Sequence, residues 1–525
     1  MEKLNQLTIN LFDPGMTFIH RVGLAGLYMT VQRLTDNGMF KSLVFDLSST
    51  SVAIKWDNDP FESFDTFFRE AFSYTKSSPE GLIDLAAHRG SGLGDIHRMQ
   101  ISEAILGSFL QHNKQNKIPK GTSRRSASLL MDNQIVVVDY RPLVKPYAHA
   151  EAASLFVGQK GVLQKSIPIK TWLFPGAAQR HSVLAGTEIE ETPGKFLCLL
   201  FASAAAVYIK LKHKNADGKF DPGRSVAICF PYVKDLIKYS RVYPNYLRAP
   251  IERLAADGLS EAALSTLLVL KADNSMDDLG IDGCTVFTMG KIGWDKQQTN
   301  RTSVITLEHV HKNTLDLFEL AVSIMPNNIK ITQKKSDKKN LDSSDTYIVF
   351  TNLVRGLIAE NIATQKEWFL DFHQLMRSTK LAKLVSFEKG GLNQMIEKMP
   401  WTFEADKFFV QAIHSAIRNR YGALASQATQ RGETIRFDRE FEKMRSGLMR
   451  AKNAQTLRAE LADLFARGGL NKTLQAQWGK ILHLYLAEDW QRSRDLALLG
   501  LASYAGKGAD ELDTEDQINN GEDEQ

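Results

Sequence analysis

Lys334-Lys335-Ser336-Asp337-Lys338-Lys339 contains no apolar residue and no periodicity. Such a run buries no surface, so it reads as the centre of a charged linker spanning 330–345. Before it, strand and helix periods alternate. After it, apolar residues recur at helical spacing to about Tyr504. The chain therefore reads as α+β: a mixed α/β N-terminal region over 1–329, the linker, and an all-α helical bundle over 346–508. Residues 509–525 hold 8 acids and no base, a composition that predicts a disordered acidic tail.

Working outward from that division, Leu4 to Leu11 alternates apolar and polar residues like a half-buried strand. Asp13-Pro14 supplies an N-cap and a first helical residue, and a helix follows over Pro14 to Leu34, ended by Asn37-Gly38. Leu43 to Leu47 and Ser51 to Trp56 form a hairpin pattern. Pro60 to Tyr74 and Ile96 to His112 are helical, and Ile135 to Tyr140 is a short buried strand. Helices return between Tyr232 and Leu270. Cys284 to Lys291 and Ser303 to Leu307 pattern as a second hairpin, and strand signals nearly vanish beyond it.

With 43% hydrophobic and 24% charged residues, the chain belongs compositionally with soluble globular proteins of two to four domains. Cys198, Cys229 and Cys284 are too widely spaced for a zinc pattern or a disulfide framework, which suits a reducing cytosol. No signal peptide is visible, and the longest apolar stretch, Phe196 to Ile209, is too short to span a bilayer. The expectation is a cytoplasmic protein with no membrane partner. From Asp371 to Gly508 there are 22 Lys and Arg against 14 Asp and Glu. A basic helical block points to a polyanion, because clustered cations displace the counterions of a phosphate backbone.

Signatures of catalysis are lacking. Gly90-Ser91-Gly92-Leu93-Gly94 has no Lys-Ser/Thr pair after it and is not a P-loop. There is no HExxH and no GxSxG. His309 and His311 share strand-like spacing but lack a Cys or acidic partner to complete a metal site. His20, His88 and His97 each lie near an Arg, in structural or phosphate-facing positions. The sequence names no catalytic residue, metal or cofactor, and favours a binding subunit over an enzyme, with a divergent nuclease or helicase-like enzyme and a generic RNA-binding scaffold as the competing classes.

Three segments carry the chemistry of nucleic-acid contact. In Asn113 to Arg125, the bases Lys114, Lys117, Lys120, Arg124 and Arg125 lie in a polar stretch read as an exposed loop, where Gln115 and Asn116 add amides suited to base edges. The tip of the second hairpin, Gly290 to Arg301, holds Lys291, Trp294, Lys296, Gln297, Gln298, Asn300 and Arg301. Its amides fit adenine edges, its bases fit phosphate or guanine, and its Trp is suited to wedging. On a helical wheel from Ile435 to Arg450, Arg436, Arg439, Lys443 and Arg450 gather on one side while Phe437, Phe441, Met444 and Leu448 gather on another. Glu440 and Glu442 stand where they could neutralise some of those bases.

The stretch Leu11-Phe12-Asp13-Pro14-Gly15-Met16-Thr17-Phe18-Ile19-His20-Arg21-Val22-Gly23-Leu24-Ala25-Gly26-Leu27-Tyr28 resembles the start of the large subunit of type I CRISPR interference complexes, the Cas eight family. The branch resembled is the one split into N- and C-terminal family models. The Gly-x-x-Gly-Trp stretch that leads to Asn300-Arg301 resembles the same branch. The resemblance implies a non-catalytic subunit of Cascade that recognises a short motif beside the target in duplex DNA and helps start strand separation, while guide pairing reads the sequence. It implies a C-terminal bundle like the small subunit, holding the displaced strand. Implied partners are CRISPR RNA, target double-stranded DNA, the Cascade backbone subunits, and a recruited helicase-nuclease or transposition protein.

Overall fold

The computed structural model describes residues 5–36, 43–56, 60–111, 113–158, 161–169, 189–212, 226–271, 280–289, 303–334, 344–432, 434 and 437–505. The chain forms two compact units. Among the described residues the first reaches from the N-terminus to Leu315 and resumes over Asn327–Thr351, and the second takes Asp316–Pro326 and everything from Asn352 onward. The first unit is mixed α/β and the second is a succession of helices, as the periodicities require.

In the first unit, β1 (Asn5–Asn10), α1 (Phe18–Asp36), β2 (Leu43–Leu47) and β3 (Ser51–Trp56) open the chain. The strands make an antiparallel sheet in the order β1-β3-β2. Asp13 does not cap α1. Its carboxylate accepts the Asn10 N–H at 2.8 Å in the turn between, and the helix starts at Phe18. Then follow α2 (Pro60–Ala71), the short strands β4 (Phe72–Tyr74) and β5 (Ile83–Leu85), α3 (Asp95–Gly107), α4 (Asn113–Asn116) and the hairpin β6 (Arg125–Met131) and β7 (Gln134–Tyr140). The expected helix Pro60 to Tyr74 thus stops at Ala71, because Phe72 to Tyr74 pair with Ile83 to Leu85.

Further on come α5 (Ala153–Phe156), β8 (Ile167–Pro168), β9 (Glu190–Glu191), α6 (Pro193–Ala205), β10 (Val207–Leu211), β11 (Val226–Val233), α7 (Leu236–Leu247), β12 (Ala255–Ala256), α8 (Leu259–Lys271), β13 (Ile281–Met289) and β14 (Val304–Glu308). A five-stranded sheet runs β12-β10-β11-β13-β14, antiparallel except where β10 meets β12. The core is aromatic: Phe64 meets Phe156 with ring centroids 4.7 Å apart, and Phe72 meets Phe201 at 4.6 Å. Helices α1 and α6 touch backbone to backbone. A Cβ at Gly23 would overlap the Cys198 carbonyl, and one at Gly26 would overlap that of Phe201. Only glycine at both positions allows this approach.

Strand structure does not end at Leu307. After α9 (Lys312–Ile324), β15 (Asn328–Lys334) and β16 (Ser344–Phe350) pair antiparallel. Residues 330–334 and 344–345 of the expected linker are therefore strand, and 335–343 lie outside the described residues. Ile329, Ile331 and Tyr347 pack against Ile96, Met131 and Val136 beneath the β6–β7 hairpin. That apolar alternation holds the segment in the first unit through Thr351 despite the charge between its strands.

The second unit consists of α10 (Leu353–Ala363), α11 (Thr379–Ser386), α12 (Lys389–Lys398), α13 (Glu404–Arg431), α14 (Phe437–Arg450), α15 (Ala454–Gly468), α16 (Lys472–Tyr485) and α17 (Trp490–Ser503). Asn352, Ser378, Asn453, Asn471 and Asp489 cap five of these with side-chain oxygens. Arg492 ties the unit together. It donates to Glu367 Oε1 at 2.8 Å, pairs with buried Asp406, and lies 5.1 Å from the Phe369 ring centroid. No helix among the described residues is long and apolar enough to cross a membrane. The acidic tail lies outside them.

Candidate nucleic-acid interface

The first basic segment is more ordered and less available than its composition suggests. Residues 113–116 form a helical turn, α4, and Gln115 and Asn116 are buried. Asn116 Nδ2 donates to the Leu110 carbonyl at 2.8 Å, and its Oδ1 accepts the Ile118 N–H at 2.9 Å. The Asn116 amide braces the turn and neither side chain faces solvent, which corrects their reading as base contacts. Three of the five bases are matched by carboxylates. Lys117 pairs with Glu151, Arg124 with Glu103, and Arg125 with Glu80 at 2.8 Å. Arg124 also donates to the Asp139 carbonyl at 2.8 Å. Lys114 and Lys120 remain exposed.

The expected second hairpin is present at its root. β13 and β14 pair in the register Phe287↔Val304, and the Thr288 N–H donates to the Ser303 carbonyl at 2.9 Å. Its tip, with Lys291, Trp294, Lys296, Gln297, Gln298, Asn300 and Arg301, lies outside the described residues.

The third segment is helix α14. Arg436 precedes it, outside the described residues. Arg439, Lys443 and Arg450 are exposed. Among the described residues none of the three has a carboxylate within ion-pair distance, and two of the helix's three acids, Glu440 and Glu442, are engaged elsewhere while Asp438 is exposed. Glu440 accepts Arg420 Nε from α13 at 2.9 Å and lies 3.9 Å from Arg467 of α15. Glu442 binds Arg445, whose hydrogen bond holds that carboxyl below its usual range. Arg445 itself is buried and donates to the Met376 carbonyl. Lys443, Met444, Leu448 and Arg450 line a groove of about 200 Å³ shared with α13 and α15. The wheel's apolar face is only partly buried: Leu448 is enclosed, Phe441 and Met444 are half-buried, and Phe437 is exposed.

Other titratable clusters are structural. His88 Nε2 donates to the Ala204 carbonyl at 2.9 Å, and His97 Nδ1 lies 3.2 Å from the Leu247 carbonyl. Burial lowers both to about 4, and His149 to about 3. Among the described residues, Asp371, His373 and Asp495 could together surround a metal ion. Their sequence separation hid this grouping. Yet Asp495 Oδ2 accepts the Asp371 N–H at 2.8 Å, and Oδ1 accepts the His373 N–H at 3.1 Å and lies 2.9 Å from His373 Nδ1. The carboxylate is already used in holding a helical turn.

Two family models match the chain, the DevT N-terminal domain over residues 8–200 and the DevT C-terminal domain over residues 397–525. A curated relative, the CRISPR-associated protein Cas8a1/Csx13 of Myxococcus xanthus (strain DK1622), is 28% identical over 543 residues, covering 97% of this chain and 90% of the relative. The resemblance at Leu11 to Tyr28 falls inside the first match, and the cationic helix α14 inside the second. On the two models and a likeness that runs nearly end to end, the chain belongs to the Cas8 family, the large subunits of type I CRISPR interference complexes.

Proposed function

We propose that this subunit is non-catalytic, engages duplex DNA beside the guide-paired target and then holds the displaced strand, with α14 gripping its phosphates. The observation that carries this reading is the division of charge on α14. Glu440 and Glu442 are committed to Arg420 and Arg445, which leaves Arg439, Lys443 and Arg450 exposed on the helix. Spaced cations outside ion-pair reach of a carboxylate track a backbone and do not read bases, although Glu440, Glu460 and Asp463 line the same groove as Lys443 and Arg450. In the first unit, the exposed Lys114 and Lys120 and the β13–β14 hairpin tip are the contacts proposed for the duplex. The tip's Gln297, Gln298 and Asn300 would read the flanking motif, and Lys291, Trp294, Lys296 and Arg301 would support them. CRISPR RNA, the Cascade backbone subunits and a recruited helicase-nuclease or transposition protein are the partners, in a cytoplasmic complex.

The test is the triple reversal R439E/K443E/R450E in the reconstituted complex. Duplex capture should stay nearly unchanged, while the opened complex should dissociate faster, increasingly so as salt rises. Equal R-loop lifetimes for wild type and variant would refute the role of α14. Metal-dependent cleavage of DNA by the chain alone would refute the non-catalytic reading.

A further inference from the structure

The most one-sided charge in the sequence lies in residues 509–525, with 8 acids and no base, and five of those acids fall between Asp510 and Asp516. The described structure stops at Ala505, and the ring before it shows where the tail departs. Tyr504 meets Tyr421 of α13 with centroids 5.8 Å apart, and Tyr421 meets Phe437 at 4.8 Å. At the inner end of the row, His414 lies 5.9 Å from Tyr504, and its Nε2 is 2.8 Å from Ser503 Oγ. Phe437 is the first residue of α14. The tail therefore leaves the bundle two ring contacts away from the helix that carries Arg439, Lys443 and Arg450.

Charge along the two segments matches in order. Asp438 and Glu440 lie beside the ring pair, and Asp438 is exposed. Those acids repel an acidic chain at its point of exit. The residues that pass them first are Gly506-Lys507-Gly508-Ala509, which carry a base and no acid. Around the helix, Arg439, Lys443 and Arg450 are exposed, and at 100° per residue they lie within about 40° of one another. From Arg439 to Arg450 this stripe is about 16 Å long at 1.5 Å per residue. Extended, the acids from Asp510 to Asp516 span roughly 20 Å, and the chain between Ala505 and Asp510 reaches at most roughly 18 Å. The acids thus cover the length of the stripe and can reach it. Glu440, Glu460 and Asp463 line the groove beside Lys443 and Arg450 and weaken the attraction for any anion. A weak contact suffices for a tethered segment, whose effective concentration is on the order of millimolar.

We propose that the acidic tail, chiefly Asp510 to Asp516, docks along Arg439, Lys443 and Arg450 of α14 and covers them until a nucleic-acid strand displaces it. The competition with a strand rests on the reading of α14 as a phosphate-gripping face, whereas the docking rests on the exit point and the order of charges. The tail's carboxylates hold the place of phosphates. A stray small anion does not displace a tethered competitor, and a strand that offers many phosphates at once does.

Two measurements on the full chain test this. The first is carbodiimide coupling at low salt, which joins a carboxylate to a lysine amine where the two already meet, read by peptide mass spectrometry. The tail should be found joined to Lys443. The link should vanish at high salt and in the tail variant D510N/E511Q/D513N/E515Q/D516N. A tail joined only to lysines outside α14, or to none, overturns the docking. The second is titration with oligo-dT followed by fluorescence anisotropy. The tail variant should bind roughly tenfold more tightly than wild type at low salt, and the advantage should shrink as salt rises. In the background R439E/K443E/R450E, neutralising the same tail acids should bring no gain. An equal gain there means that the tail acts elsewhere and overturns the proposal, as does the absence of any gain in the wild-type background. If R439E/K443E/R450E leaves oligo-dT binding by the tail variant unchanged, the phosphate reading of α14 fails, and the Lys443 link alone decides the docking.

Discussion

The loop around Lys114 to Arg125 and the helix Phe437–Arg450 both concentrate Lys and Arg, and they use the charge differently. In the first, Glu80, Glu103 and Glu151 come from distant parts of the sequence to neutralise Arg125, Arg124 and Lys117. In the second, Glu440 and Glu442 are drawn off by other bases, and Arg439, Lys443 and Arg450 stay exposed. A cluster of bases in a sequence therefore measures gross charge. What a phosphate meets is what remains after the fold has paired its acids. By that measure the loop is mostly structural, and the helix is where charge is left over for a ligand.

Acid gives the largest expected effect and separates the two units. His88, His97 and His149 in the first unit are buried and neutral, lowered to about 4, 4 and 3 from an ordinary 6.5. An unfolded chain binds protons at these histidines below pH 6.5 and the native fold does not. Their contribution is therefore fully present above about pH 6.5 and is lost as pH falls towards 4, by up to about 3 kcal/mol for each. The second unit has one comparably placed histidine, His414. Hydrogen exchange at pH 5 against pH 7 should show the first unit opening earlier, and equal protection of both would break this contrast.

The second expectation lies within α14 itself. Arg445→Ala should cost about 1–3 kcal/mol, because it leaves the Met376 carbonyl without its donor and takes the partner from half-exposed Glu442. Lys443→Ala, two residues away, should stay within about 0.5 kcal/mol. Urea midpoints of the two variants test this. Similar values would mean that the helix does not divide its bases into structural and free.

The smallest effect concerns the loop. Arg124→Ala and Arg125→Ala should each cost at most about 1 kcal/mol of stability, as half-exposed ion pairs do. They should alter the salt dependence of duplex binding less than Lys114→Ala or Lys120→Ala, whose charges are exposed. The reverse ranking in a salt titration would show that DNA outcompetes Glu103 and Glu80.

Local periodicity made much of the fold legible. The alternation in β1, the paired runs of β2 and β3, the root of the β13–β14 hairpin and the helical C-terminal unit are all set by near neighbours in sequence. What stayed hidden depends on distant ones. Ile329, Ile331 and Tyr347 form a strand pattern on both sides of a charged run, and the charge masked it until Met131 and Val136 were seen to cover it. At α14 the wheel found the exposed bases. It gave no sign that Arg445 turns inward, since its partner Met376 lies far upstream. The row of His414, Tyr504, Tyr421 and Phe437 joins three helical regions and has no local signature at all.

The close contact of α1 with α6 also sets an order of events during synthesis. Gly23 and Gly26 are shaped to receive the carbonyls of Cys198 and Phe201, and most of α1 is buried. A ribosome adding about 5–20 residues per second needs roughly ten to thirty-five seconds to get from one helix to the other. Through that interval α1 lacks its partner and its apolar surface needs a temporary cover. Nascent chains arrested short of Pro193 should leave α1 open to protease, and protection there would mean another surface shelters it first. The two glycines that let the helices touch thus make the start of this chain wait for its middle.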